Sequence, residues 1–346
     1  MNVGQAITCV QEWVTEQGAQ IHGFRGAHLM GSILSMPQDA SIPAYTDIDF
    51  NIVCESVRET TTYDIAYKGL ILEYSVVDAE PYRSPEAVLS NPELASNLAA
   101  GGILADPLGL FASLHQAVAA QYALRRWVQA RCDYERRVVA QALDGLRQVG
   151  SPSEAIWPLF GAALYLSGLL AEASLKRPTH RRSMVLMRDV LREQGREDLH
   201  DVTLRLLGVA HMDRRQVEAY LDDCAAAFDC ATVVTRTPVM FQFKFQPHVR
   251  PYIIEGAREM IDQGCHREAM FWISGFLMFA NAAIQADAPA TERLLFQARV
   301  DGLVADLGLG TSADVRARAA AAQDLAEAIF GVADEMIDRI PSERGF

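Results

Sequence analysis

Asp47 and Asp49 stand one residue apart in the run Tyr45 Thr46 Asp47 Ile48 Asp49 Phe50 Asn51 Ile52 Val53, and Glu73 follows in Leu70 Ile71 Leu72 Glu73 Tyr74. The first run alternates with period two, so Ile48, Phe50 and Ile52 point one way and Asp47, Asp49 and Asn51 the other. Two acids on one face of one strand raise each other's pKa and weaken the sheet unless a cation lies between them. Hard oxygen ligands on a rigid strand favour Mg²⁺ over zinc. Glu73 lies on the face of Ile71, Ser75 and Val77, and joins the cluster if its strand neighbours the first.

Residues 20–29 form an extended segment that ends at Gly31 and Ser32. Small residues there let backbone amides approach an anion closely, which suits a phosphate. Taken singly, a Gly-Ser turn and an Asp-x-Asp strand end are ordinary features. Their ordered combination with Glu73 within a short stretch is far more specific.

At these residues the chain resembles the nucleotidyltransferase superfamily, whose pattern is a Gly-Ser turn, a strand with two acids one residue apart, and a third acid on a nearby strand. The resemblance implies a small mixed sheet flanked by helices and two Mg²⁺ ions that assist transfer of a nucleoside monophosphate from a triphosphate. It implies Asp47, Asp49 and Glu73 as metal ligands and Gly31 and Ser32 as triphosphate contacts. Glu73 Tyr74 Ser75 Val76 Val77 Asp78, and Ile103 Leu104 Ala105 Asp106 Pro107 Leu108 Gly109, are similar to the antibiotic-modifying, kanamycin nucleotidyltransferase-like branch. The helical stretch 162–175 is similar too. That branch implies ATP as co-substrate and a small-molecule acceptor such as an aminoglycoside.

The interval from Ser32 to Asp47 is longer than the family pattern, with an insert around residues 37–43. Ser35 stands near the place where relatives often carry a basic residue. Arg181 and Arg182, which open a helical pattern after Pro178 and Thr179, are expected to supply the triphosphate grip. The branch also uses a helical-domain glutamate as general base, and counting back from Ser167 Gly168 Leu169 brings that position to Glu135. Val128, Cys132, Val139 and Ala142 place Glu135 on an apolar stripe, while Asp133 faces solvent with Gln129, Arg136 and Arg137. A carboxylate on a buried stripe is costly unless paired or used.

The 346 residues suffice for two domains with real cores. A net charge of −13 argues against a nucleic-acid partner and suits a cationic small acceptor. Residues 1–18 carry apolar residues at helical spacing and no signal-peptide pattern, so a cytoplasmic protein is expected. The most apolar window, 270–284, reads as a buried helix too short to span a bilayer, so no membrane partner is expected. Six cysteines show no CxxC pair or zinc spacing and read as reduced core residues.

The expected fold class is α+β: a small mixed-sheet nucleotidyltransferase domain over 1–105, an all-α helical domain over 106–234, and a mostly helical extension over 235–346. Helical patterns run over 107–149, 153–175, 181–194, 213–230, 249–263, 266–285 and 312–338. Asp106 with Pro107 reads as a helix cap and first-turn pair. Phe241, Phe243 and Phe245 alternate with polar residues, as in a strand or extended arm. The extension is expected to add core and an oligomer interface, in the simplest case that of a homodimer. Two other readings fit the same residues: a protein adenylyltransferase of toxin–antitoxin type, which needs an open cleft, and a non-catalytic helical interaction protein, which has no use for the carboxylates.

Overall fold

In a computed structural model, residues 1–341 are described. The elements run α1 (Val3–Glu16), β1 (Phe24–Leu29), β2 (Asp47–Cys54), β3 (Thr61–Tyr67), β4 (Leu70–Asp78), α2 (Pro85–Leu89), α3 (Pro92–Ala100), β5 (Ile103–Ala105), α4 (Leu110–Gln121) and α5 (Arg125–Gln148). They continue with α6 (Ile156–Ala173), α7 (Ser183–Glu193), α8 (Glu197–Leu206), α9 (Arg214–Val234), α10 (Arg250–Asp262), α11 (His266–Asp287), α12 (Ala290–Asp306) and α13 (Ser312–Asp338). The fold is α+β, a mixed-sheet domain followed by a helical region.

The sheet has the order β3-β4-β2-β1-β5. β2 and β4 are parallel neighbours, and the remaining pairs are antiparallel. β3 and β4 form a hairpin closed by Lys68 and Gly69, with φ of +49° and +79°. Positive φ at both turn residues is the two-residue geometry that matches strand twist. That hairpin sends β4 back between β3 and β2, which makes Glu73 a neighbour of the aspartate strand.

Hydrophobic burial sets which face the acids occupy. Ile48, Phe50 and Ile52 are fully buried against Val10, Trp13 and Val14 of α1, each such side chain contributing roughly 1.5–3 kcal/mol. A slip of one residue would turn all three away from α1 and carry the aspartates into the core. On the opposite face of β2, Val53 packs with Val88, Leu94, Leu98 and Phe111 of α2, α3 and α4. Along that face, acids give way to Asn51 and then to an apolar roof.

The insert at 37–43 serves α1. Val3 and Gly4 donate their N–H groups to the carbonyls of Ala40 and Gln38, both at 2.9 Å. Asn2 and Gln5 complete a reciprocal capping box. The first-turn amides of α1 are thus satisfied by the loop that the resemblance does not account for.

By its contacts the chain divides within α5, between Cys132 and Asp133. The first unit holds residues up to Cys132, the short segment Leu175–Arg177, and the described residues from Arg339 on. α4 and the start of α5 therefore belong with the sheet. The second unit holds Asp133–Ser174 and Pro178–Asp338. The expected extension over 235–346 is part of this second unit as far as Asp338, and its last five residues lie outside the described ones.

Most helical expectations meet a helix, with three adjustments. The 107–149 pattern is two helices, α4 and α5, broken around Tyr122. Asp106 does cap, accepting from the N–H of Ala112 at 2.9 Å, but α4 starts at Leu110 behind Gly109, so Pro107 is not its first residue. Phe241 to Phe245 is no strand: Gln242–Lys244 is a 3₁₀ turn, with Phe245 buried beside Phe228 and Phe241 packed on Phe279 at 4.5 Å. The apolar window at 270–284 lies in α11, whose 22 residues are long and apolar enough to cross a membrane, as are residues 152–173. Length therefore excludes nothing, and two thirds of each apolar stretch is buried within the protein. All six cysteines are free thiols.

Candidate functional site

The parallel register sets Asp49 directly opposite Glu73, and Asp47 opposite Ile71. Directly opposed residues share a face, so Asp47, Asp49 and Glu73 converge. One oxygen from each lies within 4.8 Å of the others. Asp47 is buried, at 6% exposure, and the other two are partly buried. Three hard oxygen donors on two adjacent strands suit a divalent cation that keeps part of its shell for water or phosphate oxygens, as Mg²⁺ does.

A fourth carboxylate, not anticipated from the sequence, extends the row. Asp64 on β3 stands opposite Glu73 in the antiparallel register and is 8% exposed. It is the buried residue of a strand whose other side chains are exposed or half-exposed. The signal lay in Thr61 to Tyr67, where an acid among β-formers marks one face, but only the hairpin register shows which acid it meets.

The Gly31 turn packs on this cluster. The Met30 N–H donates to the Asp49 carbonyl at 2.7 Å, closing the ladder between β1 and β2. Gly31 then adopts φ +69°, a left-handed conformation that favours glycine. A Cβ on Gly31 would stand 2.3 Å from Asp49 Oδ2. The Gly31 N–H donates to Asn97 Oδ1 at 3.0 Å, and Asn97 Nδ2 donates to the Glu93 carbonyl at 2.7 Å. Gly31 thus contributes close approach, while Ser32 opens a 3₁₀ turn over Ser32–Ser35.

Beneath the aspartates lies a buried polar chain that the sequence did not reveal. His28 Nδ1 is 3.1 Å from the Leu29 carbonyl and Nε2 is 2.9 Å from Tyr82 Oη. A carbonyl only accepts, so Nδ1 carries the proton and Nε2 accepts from the Tyr82 hydroxyl. Tyr82 Oη in turn accepts from Asn51 Nδ2 at 3.0 Å. Burial lowers the His28 pKa to about 4, against a smaller upward pull from the Leu29 carbonyl. Burial also raises the Tyr82 hydroxyl well above the usual phenol range, opposed by the Asn51 hydrogen bond. All three groups are therefore neutral at pH 7, and the direction of every bond is fixed. Since Asn51 follows Asp49 by two residues on the same face, this chain holds the floor under the carboxylates.

The other anticipated residues belong to the second unit. Glu135, on α5, is 5% exposed. A Cβ on Gly168 would come within 3.0–3.1 Å of its carboxylate, so Gly168 of α6 makes room for it. Asp133 is more exposed and lies 3.8 Å from Arg136. Arg181 donates to the Tyr252 carbonyl at 2.9 Å and lies over the Tyr252 ring. Arg182 donates to Glu259 at 3.2 Å and to Gln263 at 3.1 Å. A different cation, Arg177, belongs to the first unit itself and donates to Ser35 Oγ there. Nothing in the spacing of the Lys176 Arg177 Pro178 segment announced that placement.

No family model matches the chain, and no curated protein is similar to it. Among solved structures, a nucleotidyltransferase-like protein from Exiguobacterium sibiricum is similar over 86% of this chain and 90% of its own, with 10% sequence identity and a TM-score of 0.33.

Proposed function

We propose that the protein is a Mg²⁺-dependent nucleotidyltransferase that moves a nucleoside monophosphate, AMP from ATP, to a hydroxyl of a small acceptor, with pyrophosphate as the leaving group. The observation that carries this reading is the register that sets Asp49 opposite Glu73 and beside Asp47, with Gly31 packed on Asp49. Asp47, Asp49 and Glu73 would hold the metal. When bound, Mg²⁺ neutralises a triphosphate and lowers the pKa of an attacking hydroxyl. Gly31 and Ser32 keep the chain close to the carboxylates so that a phosphate can approach both.

Glu135 is the proposed general base, which would take the proton of the acceptor hydroxyl; groups in this role commonly contribute a hundredfold to ten-thousandfold, as an order of magnitude. A cationic acceptor of the aminoglycoside class suits the net charge of −13. Arg181 and Arg182 are the proposed nucleotide contacts, exchanging their bonds to Tyr252 and Glu259 for phosphate oxygens.

The test is incubation of the protein with labelled ATP, Mg²⁺, and a panel of aminoglycosides, lincosamides and cell extract. Label on a small acceptor, lost in Asp49→Asn, supports the proposal. Label on a protein in the extract redirects it to protein adenylylation. If no acceptor is labelled and Asp49→Asn leaves nucleotide binding unchanged, the reading fails.

A further inference from the structure

Beside the 3₁₀ turn of the first unit lies a cavity of about 470 Å³, lined by Ser35, Ser96, Tyr122, Lys176 and Arg177 together with Ala99 and Ala100. That volume is within the range of small-ligand pockets. Its chemistry is one-sided. Arg177 is half-buried, and among the described residues its partners are the Ser35 hydroxyl and, at 3.5 Å, the Ser96 carbonyl, with no carboxylate. Arg177 Nε and Ser96 Oγ are buried and make no hydrogen bond among the described residues. Ser96 is 6% exposed. Burial also draws the guanidinium below its ordinary range, opposed by Tyr122.

A guanidinium withdrawn from water without a counter-charge, next to a buried hydroxyl without a partner, is costly as it stands. An anion with several acceptor oxygens relieves both. Since Ser35 accepts from Arg177, its own O–H is left to donate, so the pocket offers a fork of guanidinium donors and two hydroxyls to one ligand.

We propose that this pocket binds a phosphate-class anion through Arg177, Ser35 and Ser96. Ser35 ends the turn that Gly31 begins, about 8 Å further along at 3₁₀ rise. The pocket thus stands one short turn away from the carboxylates. Its use for the polyphosphate end of a nucleotide rests on the function proposed above; a free inorganic anion is the other source of the same chemistry.

The full-length protein is titrated calorimetrically with inorganic pyrophosphate in EDTA, so that neither metal binding nor turnover is required. Wild type is expected to bind, Arg177→Gln to bind at least tenfold more weakly, and Asp49→Asn to bind as wild type. Ser35→Asp, an exposed position that should fold normally, places a carboxylate against Arg177 and is expected to abolish binding. Pyrophosphate that competes with ATP identifies the nucleotide's own polyphosphate as the occupant, and binding without competition identifies a free anion. If wild type does not bind, or if Arg177→Gln and Ser35→Asp bind as tightly as wild type, the site does not exist, whatever the labelling assay shows. An Arg177→Gln protein that only melts earlier, with unchanged anion affinity, shows that the arginine merely ties the segment to α3 and likewise overturns the proposal.

Discussion

The Asp49 carboxylate lies against the Cα of Gly31, so close that a Cβ there would stand 2.3 Å from Oδ2. Turn and proposed metal ligand are one packed unit, and Gly31→Ala tests it. Gly31 combines φ +69° with ψ −154°, a region essentially confined to glycine that costs an alanine roughly 1–3 kcal/mol, and Asp49 must rotate away. A melting temperature only a few degrees lower, with divalent-cation affinity reduced about tenfold or more by calorimetry, is the expected outcome. Unchanged affinity would show that Asp49 points elsewhere when it works.

Metal binding should also register as stability. A ligand that binds only the folded state at a hundred times its Kd adds about 2.7 kcal/mol. Thermal unfolding of the wild type is therefore expected to shift upward with millimolar Mg²⁺. In Asp49→Asn and Asp47→Asn, each of which removes one of three carboxylates whose oxygens lie within 4.8 Å of one another, the shift should be largely gone.

The buried His28 makes stability depend on pH. Its folded pKa, about 4, is below the ordinary 6.5, so between these values the unfolded chain binds the extra proton. The contribution is complete above pH 6.5 and is lost as pH falls towards 4, by roughly 3 kcal/mol over the window. Urea midpoints measured from pH 7.5 to 4.5 should fall less steeply in His28→Gln than in wild type. Tyr82→Phe strands His28 Nε2 and leaves Asn51 Nδ2 only the Met30 sulfur, and should cost about 2 kcal/mol or more at pH 7.

Glu135 is separable from its setting. If it is the base, Glu135→Gln lowers kcat by about a hundredfold or more and leaves KM for ATP nearly unchanged. Gly168→Ala, whose new methyl would press on the Glu135 carboxylate at 3.0 Å, should lower kcat in the same direction while Glu135 keeps its charge. Equal kcat in both variants and wild type would leave Glu135 a structural acid.

How much of the site is legible in the sequence varies with the range of the interactions involved. That Asp47 and Asp49 share a face follows from alternation within a single strand, a local property. That Glu73 stands opposite Asp49 depends on the hairpin at Lys68 and Gly69 returning β4 to the inner position, a choice made by turn geometry and by burial of Leu72 beside Ile48. Asp64 and the His28, Tyr82, Asn51 chain were hidden for the same reason, since each pair meets only across the sheet or between sheet and loop. Long helices such as α9, α10 and α11 were plain from periodicity, but the alternating phenylalanines at 241–245 misled. Phe241 takes φ +60°, so a turn, with no strand, delivers Phe245 to the core and Phe241 to Phe279.

The return of Leu175–Arg177 to the first unit has a consequence for synthesis on the ribosome. The sheet and its helices are translated by Cys132, but the arginine that meets Ser35 emerges only after α5 and α6 have left the exit tunnel. A nascent chain can pair its strands early, yet the wall of the anion pocket is added late. Chains truncated after α4 are therefore expected to fold their sheet and lack the pocket, and the full site is a product of the order in which the chain appears.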